Sequence, residues 1–300
     1  MENVPDVSPE LPSATWRLIL SLLGRLPERG LSRTFGRIAD APLPRPVRGP
    51  VLRSFARATG IDLLEAEHEI DEYPTLNAFF VRRLRRGVRS WPKDPRVLAS
   101  PVDGIVGSFG RVGQGTAIQA KGHTYAVADL LADVEEAARF DGGSFLTIYL
   151  SPRHYHRIHT PIAASIRRAA YVPGALYPVN AAAVMHVPGL FVRNERLVAH
   201  LESARGRVAV VAVGAYNVGR ISAAFDPEWS GSGREPWVTN RQPPSVMERR
   251  YATPREVEIG DELMAFHLGS TVVLLLEPGV PFHPRVQPGL ELRVGQPIAG

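Results

Sequence analysis

Cysteine is absent from this chain of 300 residues, which excludes disulfide bonds, thiolate metal sites and cysteine nucleophiles. Its absence fits a reducing compartment. Long apolar runs are also missing, since no stretch reaches the ~20 residues that a membrane-spanning helix needs. The N-terminus carries Glu2, Asp6 and Glu10, and it lacks the basic lead-in and the small-residue cleavage site of a signal peptide. The sequence therefore predicts a reduced protein without a spanning helix or a secretion signal.

Three common functional motifs are missing as well, namely GxGxxG, the P-loop and GxSxG. Their absence argues against a nucleotide cofactor and against the nucleophile elbow of many serine hydrolases. The composition is that of an ordinary globular protein, with 44% hydrophobic and 22% charged residues, so a sizeable core can be buried. The 27 glycines and 27 prolines indicate many turns and irregular connections.

Acidic residues are scarce near the N-terminus, where residues 11–60 contain nine arginines but only Glu28 and Asp40. The segment Thr15–Leu26 has apolar residues at helical spacing and a tryptophan near its start. Such a helix could lie in a membrane interface with its arginines on lipid phosphates, or it could pack on its own domain. We predict that residues 1–60 form a helical, membrane-associating region.

Further short elements are predicted downstream of this first helix. Basic helices are expected at Leu31–Ile38 and Val51–Thr59, separated by the proline-rich link Pro42–Pro50. Thr75 fits the N-cap of another helix, and a cluster of arginines follows it: Arg82, Arg83, Arg85, Arg86 and Arg89. The cluster could bind phosphate or form a solvated face. Without zinc spacing, a recognition helix or aromatic RNA-binding motifs, we expect no nucleic-acid partner.

From about residue 97, short β-rich runs alternate with turns. Only Val127–Arg139 reads as a clear helix, and residues 226–254 read as a long irregular loop. The pattern predicts an α+β fold, with a β-rich domain over residues 61–300 and short amphipathic helices at the N-terminus. The predicted strands are Gly104–Phe109, Phe145–Leu150, Ala169–Val172, Val208–Val213, Arg220–Phe225 and Thr271–Leu276.

The pair Gly269–Ser270 stands directly before the last of these strands. Glycine leaves its carbonyl unhindered beside the serine hydroxyl, so the serine can attack its own preceding peptide bond and convert an amide into an ester. Elimination from that ester would cut the chain and leave a dehydroalanine that hydrolyses to a pyruvoyl group. An ordinary turn entering a buried strand is the other interpretation of these residues.

Serine attack requires a group that removes its proton, and histidine beside aspartate is the usual arrangement. Asp103 lies in Ser-Pro-Val-Asp-Gly, and His154, His156 and His159 follow the predicted strand Phe145–Leu150. The three histidines also suggest zinc, but the chain offers no cysteine, and the nearest acid in sequence is distant. A surface turn rich in histidine and arginine stays open as a further interpretation.

Nine motifs follow one another along the chain. They are YPTLNAFFVRRLR at Tyr73–Arg85, SPVDG at Ser100–Gly104, QAKGHTY at Gln119–Tyr125, YLSPRHYHRIHTP at Tyr149–Pro161, YVPGALYPVN at Tyr171–Asn180, LFVRNER at Leu190–Arg196, VAVGAYNVGRI at Val211–Ile221, FHLGSTVVLLLEPG at Phe266–Gly279 and VGQPIA at Val294–Ala299. In this order they resemble the bacterial, membrane-associated phosphatidylserine decarboxylases. The resemblance runs from about residue 31 to residue 299 and is carried by the whole ordered set.

The resemblance implies self-cleavage between Gly269 and Ser270 into a β chain of residues 1–269 and an α chain of residues 270–300. Ser270 would become a covalently bound pyruvoyl group, the only cofactor expected, with no metal. This group would form a Schiff base with phosphatidylserine and act as the electron sink for its conversion to phosphatidylethanolamine and CO₂.

Roles for three further residues are implied in the same way. His159 corresponds to the base of self-cleavage, Asp103 to the carboxylate that orients it, and His156 to a candidate general acid in decarboxylation. The division of roles between the two histidines stays open, and His154 is not assigned to the site.

The resemblance also implies a setting and partners. We expect a peripheral protein on the cytoplasmic side of the cell membrane, acting on phosphatidylserine in an anionic bilayer. The α and β chains would stay together, and two such heterodimers would pair. Three alternatives remain: another pyruvoyl-dependent decarboxylase, such as one acting on a different serine-headgroup lipid, a hydrolase using Asp103, His159 and Ser270, and a protein that only binds membranes or nucleic acid.

Overall fold

The computed structural model describes residues 36–120, 123–179, 181–215, 220–229, 245–267 and 271–300. The predicted helix Thr15–Leu26, part of the predicted loop 226–254 and the Gly269–Ser270 pair therefore lie outside the described residues. Within the described ranges, no helix is both long and apolar enough to cross a bilayer.

Strands dominate the described residues. The helices that lie wholly within the described ranges are α1 (Arg45–Thr59), α2 (Leu76–Phe80), α3 (Val127–Leu131), α4 (Val134–Ala138), α5 (Ala181–His186) and α6 (Leu190–Arg193), with a 3₁₀ helix at Ile70–Glu72. Residues 36–40 are helical as well, and residues 31–35 of the predicted helix Leu31–Ile38 lie outside the described ranges. The strands are β1 (Leu98–Ala99), β2 (Gly104–Arg111), β3 (Thr116–Ala120), β4 (His123–Ala126), β5 (Ser144–Tyr149), β6 (Arg157–His159), β7 (Ala164–Val172), β8 (Arg196–Ser203), β9 (Gly206–Val213), β10 (Ile221–Ala223), β11 (Met247–Val257), β12 (Glu262–Phe266), β13 (Thr271–Leu276), β14 (Glu291–Leu292) and β15 (Pro297–Ala299).

An eight-stranded antiparallel sheet forms the centre, in the spatial order β11-β7-β8-β9-β13-β5-β2-β14. A three-stranded sheet, β10-β12-β6, and two pairs, β1-β15 and β3-β4, accompany it. This architecture confirms the predicted β-rich α+β fold.

The large sheet is covered on both faces. Along β13, Val272 and Leu274 belong to one hydrophobic cluster, and Val273 and Leu275 to another, because successive side chains of a strand point to opposite faces. The first cluster includes side chains of the three-stranded sheet, and the second includes those of α3, α5 and α6. Double coverage explains why β13 is apolar from Val272 to Leu276, and the strand has the bounds that its sequence predicts.

Three local predictions were wrong in extent. The proline-rich link at Pro42–Pro50 is helical from Arg45. Pro46 stands in the first turn, where a proline loses no intrahelical hydrogen bond, and Pro50 is accommodated inside the helix. The predicted helix Val127–Arg139 is two helices, because Ala132 adopts a left-handed conformation and Asp133 caps α4 by accepting from the N–H of Glu136. Residues 247–254 of the predicted loop belong to β11.

The described N-terminal part packs around α1. Leu52 and Ala56 of that helix form a small hydrophobic cluster with Ile70, Tyr73 and Phe79. Thr75 caps α2 as predicted, with its hydroxyl accepting from the N–H of Ala78 at 2.9 Å. The division of the chain at residue 60 stays a prediction.

Candidate active site

Two of the motifs singled out in the sequence lie side by side. The backbone N–H of His159, at the end of β6, donates to the carbonyl of Pro101 at 2.8 Å. This bond joins the loop that carries Asp103 to the strand that carries the histidines. On its other side, β6 pairs with β12, with Glu262 opposite His159.

Gly104 fixes the end of the aspartate loop against β5. A Cβ atom at this position would lie 2.6 Å from Cγ2 of Ile148 and 2.7 Å from the carbonyl oxygen of Tyr149. The loop can therefore approach β5 this closely only with glycine.

Gly104→Ala is expected to lower the free energy of unfolding by about 1–3 kcal/mol, the usual cost of overpacking a buried position. Thermal or urea unfolding measures the change. Gly113→Ala is the matched control, because an added Cβ there meets no atom within 4 Å. Equal stabilities of the two variants would contradict this account of the loop.

Asp103 is held by hydrogen bonds that fix both carboxylate oxygens. Nη2 of Arg89 donates to Oδ2 at 2.6 Å, and the N–H of Val294 donates to Oδ1 at 2.7 Å. No hydrogen bond joins Asp103 to His159 in the described ranges, although its charge lies near enough to act on the imidazole. The structure brings these two residues into one site without a direct hydrogen bond.

Arg89 also binds a second carboxylate. Its Nη1 and Nη2 donate to the two carboxylate oxygens of Glu65 at 3.0 and 2.9 Å. The hydrogen bond from Arg89 holds the pKa of Glu65 below its usual range. Burial acts to lower the pKa of Arg89, but its bonds to Glu65 and Asp103 outweigh burial and raise it. Arg89 is thus a fixed positive charge beneath the aspartate loop.

His159 has a defined tautomer. Its Nδ1 lies 2.7 Å from the carbonyl oxygen of Gly260, which can only accept, so Nδ1 carries the proton. Nε2 then accepts from the hydroxyl of Tyr155 at 3.1 Å. Burial lowers the pKa of His159, with the Gly260 carbonyl opposing this effect. The imidazole is therefore neutral near pH 7, with its basic nitrogen at Nε2.

His156 is fully buried, and its ring centroid lies 4.1 Å from that of Phe80. Its Nδ1 donates to the carbonyl of His154 at 2.8 Å, while Nε2 has no partner among the described residues. Burial, with a smaller contribution from Arg82, lowers the pKa of His156 to about 3. A buried nitrogen that accepts no hydrogen bond is costly, which is typical of functional positions.

The described residues on both sides of the Gly269–Ser270 pair show where the proposed cleavage point is attached. The N–H of Phe266, at the end of β12, donates to the carbonyl of His156 at 3.0 Å. Thr271, the residue after Ser270, begins β13 at the centre of the large sheet. Gly269 and Ser270 themselves lie outside the described residues.

Three neighbours of His159 were not assigned to the site from the sequence. The sequence places Arg89 in the arginine cluster and Tyr155 between two histidines of the motif, but it predicts no role in the site for either. The ring of Trp91 lies 5.6 Å from that of His159. A cavity of about 360 Å³ is lined by all three of these residues and by His159. An aromatic residue inside the histidine motif was the one available signal.

Comparison with known proteins identifies the family. The phosphatidylserine decarboxylase family matches residues 76–300. The phosphatidylserine decarboxylase proenzyme of Anaeromyxobacter sp. (strain K) is 48% identical over 285 residues, covering 95% of this chain and 98% of the relative. The proenzymes of Myxococcus xanthus (strain DK1622) and Brevibacillus brevis (strain 47) are 43% and 40% identical, over 93% and 94% of this chain and 96% and 98% of their own lengths. The chain belongs to the phosphatidylserine decarboxylase family.

Proposed function

We propose that this protein converts phosphatidylserine to phosphatidylethanolamine and CO₂, using a pyruvoyl group that it makes from Ser270 by cutting its chain after Gly269. Membership of the family supports the reaction. The hydrogen bond between Pro101 and His159 carries the assignment of the site, because it sets the aspartate and histidine motifs side by side.

His159 is the proposed base of self-cleavage. Its neutral Nε2 can take the proton of the Ser270 hydroxyl as the oxygen attacks the carbonyl carbon of Gly269. The amide nitrogen leaves and takes up a proton, which gives an ester. Loss of the Cα proton of residue 270 then breaks the ester, frees the carboxylate of Gly269 and leaves a dehydroalanine. Water converts this enamine to the pyruvoyl ketone, and its nitrogen leaves as ammonia. Tyr155 supports this role, because its hydroxyl holds the ring through Nε2 until the serine replaces it.

Asp103 is proposed to act on His159 through position and charge. Its carboxylate anchors the loop whose Pro101 carbonyl holds the backbone of His159. Its negative charge stabilises the imidazolium that forms when His159 takes the serine proton. Orientation of the base thus comes from the loop as a whole.

His156 is the proposed proton donor of the decarboxylation. Its Nε2 is buried and has no hydrogen-bond partner among the described residues, and its ring lies against that of Phe80, so this nitrogen is free to take up a proton and pass it on. When present, the pyruvoyl ketone supplies the electron sink for the charge that CO₂ leaves at Cα. A substrate carboxylate nearby would raise the pKa of His156, and a proton on Nε2 could then pass to Cα.

The two chains are proposed to remain joined after cleavage. β13 belongs to the shorter chain, and it is hydrogen-bonded on both sides to strands of the longer one, β5 and β9. Separation would expose its fully buried side chains. Pairing of two heterodimers remains part of the proposal through the family resemblance.

The reaction is tested by giving the purified protein phosphatidylserine labelled in the serine carboxyl. The proposal expects one labelled CO₂ and one phosphatidylethanolamine per substrate consumed, with neither from Ser270→Ala. The hydrolase alternative instead expects intact serine or fatty acid as product and labelling of Ser270 by a fluorophosphonate. Labelled CO₂ from the Ser270→Ala variant would overturn the proposed source of the cofactor.

Attachment to the cytoplasmic face of the membrane is proposed through residues 15–60, where nine arginines can attract anionic lipid by about 1 kcal/mol each. Removing residues 11–30 is expected to move the protein from the membrane fraction to the supernatant after centrifugation. Restoring attachment with an unrelated amphipathic helix is the control. An unchanged distribution between the fractions would contradict attachment through this segment.

The rate of self-cleavage is expected to stay high at mildly acidic pH. Because burial lowers the pKa of His159 below 6.5, its neutral form persists as the pH falls to that value and is lost only below it. Pulse-labelled precursor from cell-free synthesis, chased at a series of pH values, measures the profile. A half-maximal rate at or above pH 6.5 would show that another group limits cleavage.

A further inference from the structure

The cavity beside His159 combines a buried reactive end with a basic, solvent-exposed edge. Tyr155, which lines it, is only 4% exposed. Arg83 and Arg86 line it too, and both are exposed to solvent. A volume of about 360 Å³ is at the lower end of small-molecule pockets, which matches a polar headgroup better than a whole lipid.

Four arginines line this cavity, and they differ in the number of hydrogen bonds and ion pairs that they make with other residues of the chain. Arg89 is bound by two carboxylates, and Arg85 donates to the carbonyl of Ala66 and to Glu69. Arg83 has one ion pair, with Glu262 at 3.3 Å.

Arg86 stands apart from the other three arginines. It has no hydrogen bond or ion pair with any residue that the structure describes. Among the described residues, Glu262 is the only carboxylate that lines the cavity, and it is shared with Arg157, so the exposed edge keeps a net positive charge. An anion arriving from solvent would meet a guanidinium that has no acidic partner within the described ranges.

We propose that this cavity binds the phosphoserine headgroup, with the phosphodiester on Arg83 and Arg86 and the serine end towards His159. The inference rests on the proposed function and adds where and how the substrate is held. Guanidinium groups suit phosphate because their N–H groups pair with two of its oxygens. The acyl chains stay outside, on the exposed side where the arginines lie.

The charge change of the reaction supports this arrangement. The headgroup of phosphatidylserine has a net charge of −1, from one phosphate, one carboxylate and one ammonium. Decarboxylation releases the carboxylate as CO₂ and puts a proton on Cα, so the product headgroup is neutral overall. A basic edge therefore attracts the substrate more strongly than the product and favours product release.

The Arg86→Glu variant, purified after its self-cleavage is complete, tests the phosphate contact. With dispersed short-chain phosphatidylserine, we expect kcat/KM to fall about 5-fold or more, mainly through KM, as removal of a ground-state contact requires. Arg83→Gln should lower it less. Arg285→Glu is the matched control, because Arg285 is also exposed and unpaired within the described ranges but does not line the cavity.

Two results would show that the lower kcat/KM of Arg86→Glu has a cause other than a headgroup site. Loss of activity on anionic vesicles alone, with normal kcat/KM on dispersed substrate, would overturn the inference in favour of membrane attraction. Equal values for Arg86→Glu and Arg285→Glu would also overturn it.

Glycerophosphoserine and inorganic phosphate are the two competitors. Inhibition of the wild type by glycerophosphoserine, weakened in Arg86→Glu, supports the site, and stronger inhibition by inorganic phosphate would reassign it to free phosphate. If the wild type released no CO₂ from phosphatidylserine, the proposed function would be wrong, and the cavity would then be judged by binding alone. Calorimetric binding of glycerophosphoserine to the wild type but not to Arg86→Glu would still support the cavity, and no binding would overturn it.

Discussion

His159→Ala is expected to leave the protein as a single chain of 300 residues. Loss of a general base commonly slows a reaction by about 10²- to 10⁴-fold, and self-cleavage has no external catalyst to compensate. The neutral Nε2 of His159 is held by the hydroxyl of Tyr155, with the proton on Nδ1 fixed by the carbonyl of Gly260. Gel analysis of newly synthesised chains over several hours measures the rate.

A control variant and a chemical rescue separate loss of the base from loss of the fold. His68→Ala is the matched control, since His68 is a histidine with a side chain 58% exposed to solvent. Imidazole added to His159→Ala is expected to restore part of the cleavage, which repair of a misfolded chain could not explain. Cleavage of His159→Ala at the wild-type rate would assign the base elsewhere, with His156 as the next candidate.

Arg89→Met is expected to destabilise the protein by about 3–5 kcal/mol, because it leaves the largely buried carboxylate of Asp103 without its arginine and leaves Glu65 with only the exposed Arg293. The side chains of Arg89 and Asp103 are 8% and 10% exposed, and Arg89 donates four hydrogen bonds to Asp103 and Glu65. Self-cleavage should slow as well, since the loop that holds His159 loses its anchor. Urea unfolding and the cleavage rate measure the two effects.

Arg96→Met is the matched control for Arg89→Met. Arg96 pairs with Asp94 at 2.9 Å, but its side chain is 73% exposed, so water replaces the lost contact and no measurable change in stability is expected. Arg89→Lys should recover part of the cleavage rate by keeping the charge. A wild-type unfolding midpoint for Arg89→Met would show that the Arg89 carboxylate cluster does not stabilise the loop.

The sequence predicts those elements whose physical cause is local. β13 has a continuous apolar pattern that only a doubly covered strand explains, and the N-cap at Thr75 depends on one hydroxyl and its next turn. The break at Ala132 could not be predicted, because left-handed backbone at alanine is unfavourable in isolation. The capping of α4 by Asp133, together with its ion pair to Arg168 on a distant strand, accompanies that break.

In the candidate site, too, the residues with a local sequence signal could be predicted, whereas contacts between distant parts of the chain could not. Asp103, His156 and His159 could be singled out by their motifs, and the structure places them around one loop and one strand. The partnership of Asp103 with Arg89 could not be foreseen, because any of the five clustered arginines could in principle reach a carboxylate. The tautomer of His159 depends on the carbonyl of Gly260, about a hundred residues away in the chain.

The most direct test of the central claim is the intact mass of the purified wild-type protein under denaturing conditions, beside Ser270→Ala. The account predicts two wild-type chains, one ending at Gly269 and one beginning at residue 270 with a pyruvoyl group in place of serine. It predicts one uncut chain for the variant. A single intact chain from folded wild-type protein that releases CO₂ from phosphatidylserine would contradict it.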